Sequence, residues 1–405
     1  MKHERVLIAG GGAAGFFAAL ACAELNPSAR ITICEATAGP LAKVRISGGG
    51  RCNVTHACFE PAELARHYPR GERELLGPFH RWGPRETMAW FAARGVALKT
   101  EADGRVFPTT DDSDTIVGCL RRAAEAAGIT VRTRCGVQAV RTGYEVELTP
   151  GGTTACDRLL LATGGGAAGG GFEIARRLGH TIEPPVPSLF TLHIDDPRLA
   201  GLPGVAAENA EVSVPGLKLR ERGPLLITHE GVSGPAILRL SAWGARLLHD
   251  CGYCFTLTVN WVPPRPPGQV FAELAQMRRE HPRQQVATRN PFGLSQRLWA
   301  RLVAAAGLAP AGLWTSVANA ELQVLAAQLT RGEFTVTGKS RFKEEFVTCG
   351  GVRLAEVDFR TMESRLRPGL YFAGEVLDID GVTGGFNFQS AWTTGWLAGR
   401  AMAGV

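Results

Sequence analysis

The stretch Arg5-Val-Leu-Ile-Ala-Gly-Gly-Gly-Ala-Ala-Gly15 joins a short β-type run to a cluster of glycines, and Phe16–Leu25 continues as a helix of small and apolar residues. Strand, glycine turn and helix form the context in which the pattern G-x-G-x-x-G indicates a dinucleotide site. Gly10 permits the tight turn, Gly12 lets a pyrophosphate reach the backbone, and Gly15 lets the helix pack on the strand. The sequence therefore predicts a Rossmann-like βαβ unit that binds a dinucleotide.

A second strand, Ile31-Thr-Ile-Cys34, follows the helix and ends at Glu35. Glu35 lies 20 residues after Gly15, where an acid accepts hydrogen bonds from the adenosine ribose. An acid at this position disfavours a 2′-phosphate, so we expect FAD or NAD rather than NADP at this site. The amides at the start of the helix would face the pyrophosphate, and we also place Ala13 and Ala14, which precede the predicted helix, in the cofactor site.

Three later segments favour FAD over NAD. Residues 157–161 are typical of a buried strand, which ends in Ala162-Thr163-Gly164, a pattern of two-dinucleotide-type flavoproteins. Another strand ends in Ala373-Gly374-Glu375 and would bring an acid to the ribityl and phosphate region. Gly384-Gly385-Phe386-Asn387 precedes a final helix, whose first amides can face the flavin pyrimidine. Because these segments lie near both ends of the chain, we predict one discontinuous FAD domain with an insertion.

A second glycine pattern, Gly164-x-Gly166-x-x-Gly169, offers an alternative interpretation. A helix-like stretch follows it and Glu183 lies near the expected distance, as in a separate site for NAD(P)H. We favour the flavin interpretation, because Ala162-Thr163 precedes the pattern. The chain also soon turns proline-rich, at residues 184–187, without a further βαβ repeat.

With these residues together, the chain resembles the HI0933-like flavoproteins, the BaiN/RdsA-type NAD(P)/FAD-dependent oxidoreductases, over nearly its whole length. The resemblance implies an α/β fold: a Rossmann-like FAD-binding domain of the two-dinucleotide-binding type, with an inserted β-barrel-like and helical region. Its most specific segment is Ser47-Gly-Gly-Gly-Arg-Cys-Asn53, which generic Rossmann enzymes lack. The other segments that carry it are Ile8–Gly15, Lys43–Thr55, Gly104–Pro108, Thr228–Pro235, Val347–Val352, Thr361–Ser364 and Ala373–Gly381.

The resemblance also implies which residues surround the flavin. A glycine-rich loop would cover the cofactor with the amides of Gly48, Gly49 and Gly50, while Asn53 would bond the flavin edge or the pyrophosphate. Arg51 fits a phosphate contact and a solvated side chain equally well. The remaining residues that we place in the cofactor site are Lys43, Ser47, Cys52, Val137 and Asp380.

The insertion is unusually basic. We predict an FAD domain of residues 1–187 and 341–405, a β-rich domain of residues 188–262, and a helical subdomain of residues 263–340. Residues 261–345 contain eleven basic and six acidic side chains, a difference of +5 against +6 for the whole chain. A basic helical module is a plausible electrostatic footprint for RNA, and the alternative is a set of solvated arginines on helix faces.

Composition excludes several other classes of protein. The ten cysteines form neither a disulfide framework nor paired zinc motifs, so we expect no metal and a reducing, cytoplasmic location. The single C-x-x-C, Cys251–Cys254, is interpreted as two thiols beside a strand rather than as a redox pair or half a metal site. No run of 18 apolar residues occurs, so no membrane span is expected.

These features lead to one functional hypothesis with alternatives. The leading hypothesis is reduction of an electron-poor carbon–carbon double bond, with NADH or NADPH as the electron donor. The resemblance implies two acceptors: uracil in ribosomal RNA, which gives dihydrouridine, and an enone-containing steroid. The proton-donor candidates are Cys52, His229 and Cys349, which lie in segments that carry the resemblance. The alternatives are an FAD-containing RNA-binding assembly factor without turnover, and an oxidase or monooxygenase.

Overall fold

The computed structural model describes residues 4–166, 170–340 and 347–404. The chain divides into two compact units, one formed by residues 1–186 and 347–405 and the other by residues 187–346. The first unit is therefore discontinuous in sequence, and we call the second one the inserted unit. The predicted boundary at residue 341 lies outside the described residues.

The described strands form five sheets. In chain order they are β1 (Arg5–Ala9), β2 (Arg30–Cys34), β3 (Thr55–His56), β4 (Leu98–Thr100), β5 (Arg105–Pro108), β6 (Thr130–Arg132), β7 (Val137–Val140), β8 (Glu145–Leu148), β9 (Thr153–Ala155), β10 (Arg158–Leu161), β11 (Ile182–Ser188), β12 (Leu192–His193), β13 (Ala206–Val214), β14 (Leu219–Ile227), β15 (Gly231–Ser233), β16 (Phe255–Asn260), β17 (Gly332–Val336), β18 (Gly338–Lys339), β19 (Val347–Val352), β20 (Val357–Asp358), β21 (Glu363–Ser364) and β22 (Leu370–Phe372).

The described helices lie in both units. They are α1 (Ala13–Leu25), α2 (Ala42–Gly50), α3 (Pro61–Ala65), α4 (Glu72–Arg81), α5 (Pro84–Ala92), α6 (Asp114–Ala126), α7 (Gly171–Arg177), α8 (Pro235–Trp243), α9 (Ala245–Asp250), α10 (Pro267–Glu280), α11 (Gln296–Ala305), α12 (Asn319–Arg331) and α13 (Phe386–Met402). Among the described helices, none combines the length and the hydropathy that a membrane-spanning segment requires.

The first unit is built on a seven-stranded sheet with the order β20-β21-β22-β10-β1-β2-β6. The five strands from β22 to β6 run parallel, and β21 and β20 continue the sheet in antiparallel pairs. Ile8 and Leu160, in the two central strands, are fully buried, as is typical of parallel strands that are covered on both faces. The carboxyl ends of β1, β2, β10 and β22 consequently lie side by side, and we call this end of the sheet its carboxyl edge.

The C-terminal helix α13 crosses α1 at unusually short distance. A Cβ atom on Gly395 would lie 2.5 Å from the carbonyl oxygen of Ala14, and one on Gly399 would lie 2.2 Å from that of Ala18. Residues 13–22 of α1 are all buried, so this helix is covered on every side. The end of the chain is thereby packed against the helix that begins the nucleotide motif.

The inserted unit contains a second seven-stranded sheet, with the order β17-β16-β13-β14-β15-β12-β18. The strands β17 and β18 lie at opposite edges, yet only Thr337 separates them in sequence. The two edges of the sheet must therefore approach each other, and the sheet is curled into a barrel-like shape. The predicted fold class, a Rossmann-like domain with a barrel-like and helical insertion, is confirmed.

The helices of the inserted unit share one core with its sheet. Helix α12 packs against β16 and β17, and Trp261, Trp299, Trp314 and Phe334 are buried in a single cluster. The structure thus shows one compact unit where the sequence suggested a β-rich domain and a separate helical subdomain. The difference arises because residues 332–339, which we assigned to the helical part, return to the sheet as β17 and β18.

Candidate functional site

The turn between β1 and α1 leaves an open surface at the carboxyl edge of the sheet. Gly10 has φ +112°, and a Cβ atom there would lie 2.3 Å from the carbonyl oxygen of Ala162 at the end of β10. A Cβ atom on Gly12 would meet no atom within 4 Å. Gly12 caps α1, which has neither a side-chain cap nor an acid in its first turn. The first amides of α1 are therefore available to an anion.

Glu35 is fixed beside this turn. Its carboxylate accepts a hydrogen bond of 2.9 Å from the amide of Gly11. The other oxygen accepts from the amide and the hydroxyl of Thr37 at 2.8 and 2.7 Å. A carboxylate has about four lone-pair positions, so further donors can be accepted. The acid at the end of β2 thus borders the surface that Gly12 leaves open.

The ends of β10 and β22 add a second acid to the same edge. Glu375 follows β22, and its carboxylate lies 2.6 Å from the ammonium of Lys43 in α2. A Cβ atom on Gly164, which follows β10 with φ +77°, would lie 4.0 Å from the same carboxylate. Thr163 has a buried hydroxyl without a hydrogen-bond partner among the described residues. The hydroxyl packs on Gly171, so it faces α7.

The glycine-rich segment forms the end of α2 and the loop after it. Ser47 leaves the helical conformation with ψ 152°, and Gly48 and Gly49 follow with φ +58° and +69°. The hydroxyl of Ser47 donates to the carbonyl of Val44 at 3.0 Å, so it completes the helix end. Nothing lies within 4 Å of a Cβ atom on Gly49 or on Gly50. The loop therefore presents bare backbone, as a covering loop for a planar ligand requires.

Asn53 ties this loop to the beginning of α13. In the orientation that satisfies its amide, the side chain accepts from the amide of Gly385 at 2.9 Å and donates to the carbonyl of Thr55 at 3.0 Å. Gly385 caps α13 with φ +96°, and α13 has no side-chain cap and no acid in its first turn. A second set of free helix amides consequently lies next to the glycine-rich loop.

The arrangement fits a dinucleotide with a flavin ring. It offers two uncapped helix N-termini, an acid at the end of β2, and glycines whose Cβ positions are open. Ligands of open α/β sheets bind at the carboxyl ends of the strands, and the glycine turn, Glu35 and Glu375 all follow such ends.

A comparison with protein families shows to which family of Rossmann-fold proteins the chain belongs. The model of the HI0933-like protein Rossmann domain matches residues 4–401. The chain belongs to this family. It is therefore a flavoprotein oxidoreductase that binds FAD, as the sequence predicted.

Two curated relatives align with nearly the whole chain. The ribosomal RNA dihydrouridine synthase of Escherichia coli is 31% identical and covers 99% of this chain and 98% of its own length. The 3-dehydro-bile acid delta(4,6)-reductase of Clostridium scindens is 30% identical and covers 99% of both.

Solved structures share the architecture at lower identity. The 3-ketosteroid-delta4-(5alpha)-dehydrogenase of Rhodococcus jostii RHA1 has a TM-score of 0.51 and 16% identity, over 99% of this chain and 97% of the other. The 3-ketosteroid delta1-dehydrogenase of Sterolibacterium denitrificans has a TM-score of 0.51 and 13% identity, over 99% of both. These similarities show a common fold.

Three further residues of the predicted cofactor site also have protein partners. Arg51 pairs with Glu101 at 2.7 Å and lies 3.9 Å from the centre of the Phe107 ring. Asp380 is fully buried and pairs with Arg70. Asn387 bonds both the amide and the carbonyl of Gly381 at 2.8 Å. Their side chains hold loops in place around the site. Val137 lies in β7 and pairs with Leu148.

The three proton-donor candidates differ in their surroundings. Cys52 is fully buried with φ +63°, and burial raises its pKa to about 12. Cys349 is buried in β19. His229 is exposed and belongs to the inserted unit. A thiol with so high a pKa is far from the neutral range in which a general acid works best.

Sequence reasoning missed the aromatic cluster at the start of α13. Phe386 is buried, and its ring stacks on His56 at 4.6 Å and on His67 at 4.2 Å. The hydroxyl of Tyr68 donates to the carbonyl of Phe386 at 2.6 Å. These partners lie more than 300 residues before Phe386 in the sequence. The only signal in the sequence is that His56 follows Asn53 of the glycine-rich segment by three residues.

The second glycine pattern does not open another Rossmann unit in the described chain. Helix α7 and β11 follow it, but β11 pairs with β19 and is absent from the seven-stranded sheet of the first unit. Glu183 lies 2.7 Å from the guanidinium of Arg353. Gly169 lies outside the described residues. The flavin interpretation of Ala162–Gly164 is therefore preferred.

Proposed function

We propose that this flavoprotein reduces an electron-poor carbon–carbon double bond, with NADH or NADPH as the electron donor. The observation that carries the proposal is the pair of full-length relatives at 31% and 30% identity. Their names give different substrates, a uridine in ribosomal RNA and a bile acid, but both describe the reduction of a double bond. The shared reaction is therefore a better inference than either substrate.

We assign the adenosine half of FAD to the turn after β1 and to Glu35. The amides of Ala13 and Ala14 would hold the pyrophosphate, because α1 begins there without a competing cap. Glu35 would accept from the ribose hydroxyls, since its carboxylate borders Gly11. Glu375 and Lys43, which pair at 2.6 Å, would face the ribityl and phosphate region.

We assign the flavin ring to the glycine-rich loop and to the start of α13. The backbone of Gly49 and Gly50 is open, and the first amides of α13 offer partial positive charge. Bound FAD would supply two-electron transfer from the nicotinamide to the double bond. The protein positions the acceptor and supplies the proton for the second carbon, from a side chain or from water.

Arginines of the inserted unit support RNA as the acceptor. The segment Arg278–Arg301 holds six arginines and a single acid, Glu280. None of the six pairs with a carboxylate among the described residues, although Arg278 and Arg297 bond backbone carbonyls. Five of them are exposed. Unpaired guanidinium groups are suited to phosphate contacts.

Other arginines of the inserted unit behave differently. Arg198, Arg220, Arg239 and Arg265 each pair with an acid. Arg222, Arg331 and Lys218 also lack a carboxylate partner within the described part of this unit. The unpaired charge is nevertheless concentrated in the segment Arg278–Arg301, which favours a binding surface there. Arg341 and Lys343, which we also counted as basic, lie outside the described residues.

The proposal is tested by measuring dihydrouridine in ribosomal RNA by mass spectrometry. A strain without the gene should lack a dihydrouridine that its parent contains, and the intact gene should restore it. A Gly12→Val/Glu35→Ala double variant should fail to restore it and should be purified without flavin. RNA would not be the acceptor if the strain without the gene and its parent had the same dihydrouridine content while the purified protein carried flavin.

The arginine segment is tested in the same assay and by RNA binding. Replacing Arg279, Arg283, Arg289 and Arg301 by glutamine should weaken binding and lower the slope of log affinity against log salt by about one for each phosphate that is no longer neutralised. A matched variant, in which Arg73, Arg121, Arg122 and Arg134 are replaced by glutamine, removes four exposed arginines of the other unit. Equal slopes in both variants would rule out this surface.

A small enone is the second candidate, because the Clostridium scindens relative is equally similar. The purified protein would then oxidise NADH or NADPH in the presence of a 4,6-diene steroid ketone and leave RNA unmodified. An assembly factor without turnover predicts that neither acceptor supports nicotinamide oxidation. An oxidase predicts peroxide at the rate of nicotinamide consumption in air.

A further inference from the structure

Two of the ten cysteines differ from the others in exposure. All ten lie within the described residues; Cys251 and Cys254 are exposed, Cys58 is partly buried, and the remaining seven are buried. Thiolates rather than thiols react with disulfides. Burial raises the pKa of four other thiols to about 12, so these remain protonated. They are Cys22, Cys34, Cys52 and Cys156. The accessible thiol chemistry of the chain is thus concentrated at residues 251–254.

Cys251 and Cys254 are the first and last residues of a tight turn after α9. The amide of Cys254 donates to the carbonyl of Cys251 at 3.2 Å, and Gly252 and Tyr253 between them have φ +63° and +59°. A turn of this kind keeps its end Cα atoms within about 7 Å. Disulfides join Cα atoms about 4.4–6.8 Å apart. The reduced chain therefore already holds the two cysteines within bridging reach.

Tyr253 fixes this turn from within. Its ring meets Phe190 edge-on at 5.4 Å and His249 at 5.9 Å. Its amide donates to the carbonyl of Leu248 at 2.8 Å, which closes the end of α9. The two cysteines flank an anchored residue, so the backbone needs little further ordering. The thiol of Cys251 donates to the carbonyl of Leu248 at 3.3 Å and exchanges this bond for the disulfide.

The exposure and the turn geometry overturn the expectation from sequence that these are two inert thiols beside a strand. We propose that Cys251 and Cys254 form a reversible disulfide by exchange with a low-molecular-weight disulfide of the glutathione type. The thiolate of one cysteine attacks a sulfur of that disulfide, forms a mixed disulfide and releases one thiol. The thiolate of the second cysteine then attacks the protein sulfur and releases the other thiol. Two electrons pass from the protein dithiol to the small disulfide, and its two thiols carry away the two protons.

The bridge acts as a modification rather than as a stability element. It closes a loop of only four residues, and short loops restrain the unfolded chain little. Exposed disulfides are also the labile ones. A metal site is less suitable here, because the described residues contain no group of three or more His, Cys, Asp or Glu side chains that could hold a metal ion. The proposal does not depend on the proposed function.

The test is disulfide mapping of the full-length flavoprotein. The reduced protein is incubated with oxidised glutathione, quenched with N-ethylmaleimide and digested with trypsin. Cys251 and Cys254 share one tryptic peptide that ends at Arg278 and holds no other cysteine, because Arg265 precedes a proline. We expect this peptide to lose two hydrogens and both alkylation sites, and dithiothreitol to restore them.

Single variants separate the bridge from simple glutathione addition. Cys251→Ser and Cys254→Ser should each accumulate the mixed disulfide at least about tenfold above wild type, because a neighbouring thiol resolves it at millimolar effective concentration. Cys58→Ser should behave like wild type. Two glutathione adducts on wild-type protein, or dimers linked through this peptide, would overturn the proposal.

Discussion

The amide of Gly11 donates a hydrogen bond of 2.9 Å to the carboxylate of Glu35, which joins the glycine turn directly to the end of β2. Thr37 holds the other carboxylate oxygen through its amide at 2.8 Å and its hydroxyl at 2.7 Å. The acid is therefore oriented by the protein alone. A ligand that uses it meets a side chain whose rotamer is already fixed, which lowers the entropic cost of binding.

Replacing Glu35 by alanine should weaken FAD binding about 10- to 100-fold. Hydrogen bonds to a charged group contribute about 1.5–3 kcal/mol, and about 1.4 kcal/mol changes an affinity tenfold. The dissociation constant can be measured from flavin fluorescence during titration of the deflavinated protein. Glu63→Ala, at an exposed acid of α3 that pairs with Arg66, is the control. Equal affinities in the two variants would disprove the assignment of Glu35.

The nucleotide motif could be predicted from sequence because it is local. The strand Arg5–Ala9 has the predicted bounds, while α1 begins at Ala13 instead of Phe16. The earlier start follows from the turn itself, since Gly12 already caps the helix. Local patterns therefore determine the elements, and the precise helix start depends on how the turn packs against β10.

Other parts of the site depend on contacts between distant segments. The partners of Arg51 lie 50 and 60 residues away, and that of Asp380 lies 310 residues away. Nothing in the surrounding residues indicates these ion pairs, so both side chains were assigned to the cofactor. The strands β17 and β18 were missed for the same reason, because their partners β16 and β12 are far away in sequence.

Gly399 should tolerate no side chain where α13 crosses α1. A Cβ atom would lie 2.2 Å from the carbonyl oxygen of Ala18, so Gly399→Ala forces the helices apart and should cost about 1–3 kcal/mol of the free energy of unfolding. Gly77→Ala is the matched control, since nothing lies within 4 Å of that position in α4. This control should gain about 0.5–1 kcal/mol from helix propensity. Urea unfolding distinguishes the two, and equal shifts would contradict the close contact.

Removing Arg70 should destabilise the protein more than removing a surface arginine. Asp380 is fully buried beneath it, and an uncompensated buried charge costs about 3–5 kcal/mol. We expect Arg70→Met to lower the free energy of unfolding by this amount. Arg66→Met breaks an exposed pair with Glu63 and should cost less than about 1 kcal/mol. A small effect of Arg70→Met would show that Asp380 finds other partners.

Cys52 should not supply the proton. Burial raises its pKa to about 12, whereas an efficient general acid has a pKa near the working pH. The Cys52→Ser variant should therefore keep the pH profile of kcat with whichever acceptor supports turnover. We expect the same of Cys349→Ser, because Cys349 is buried. Flavin absorbance of each variant controls for cofactor loss. A drop of tenfold or more in kcat at full flavin content would restore the thiol as the donor.

Stability should fall as the pH is lowered below about 6.5, the value at which an unperturbed histidine titrates. Burial lowers the pKa of His180 below 6.5 even though Glu356 beside it raises it. The unfolded chain then binds more protons than the native one, so the free energy of unfolding decreases as the pH falls and is constant above this range. His180 bonds Glu356 at 3.1 Å and Ser364 at 2.9 Å, which links α7 to β21.

The variant His180→Gln should flatten this dependence when urea unfolding is compared at pH 7.5, 6.0 and 5.0. Part of the slope should persist, because burial also lowers the pKa of His56. His229→Gln changes an exposed histidine and should keep the full wild-type slope. If the free energy of unfolding falls equally with pH in His180→Gln and in wild type, another group takes up the proton on unfolding. Protonation of His180 would then not be the cause of the loss of stability in acid.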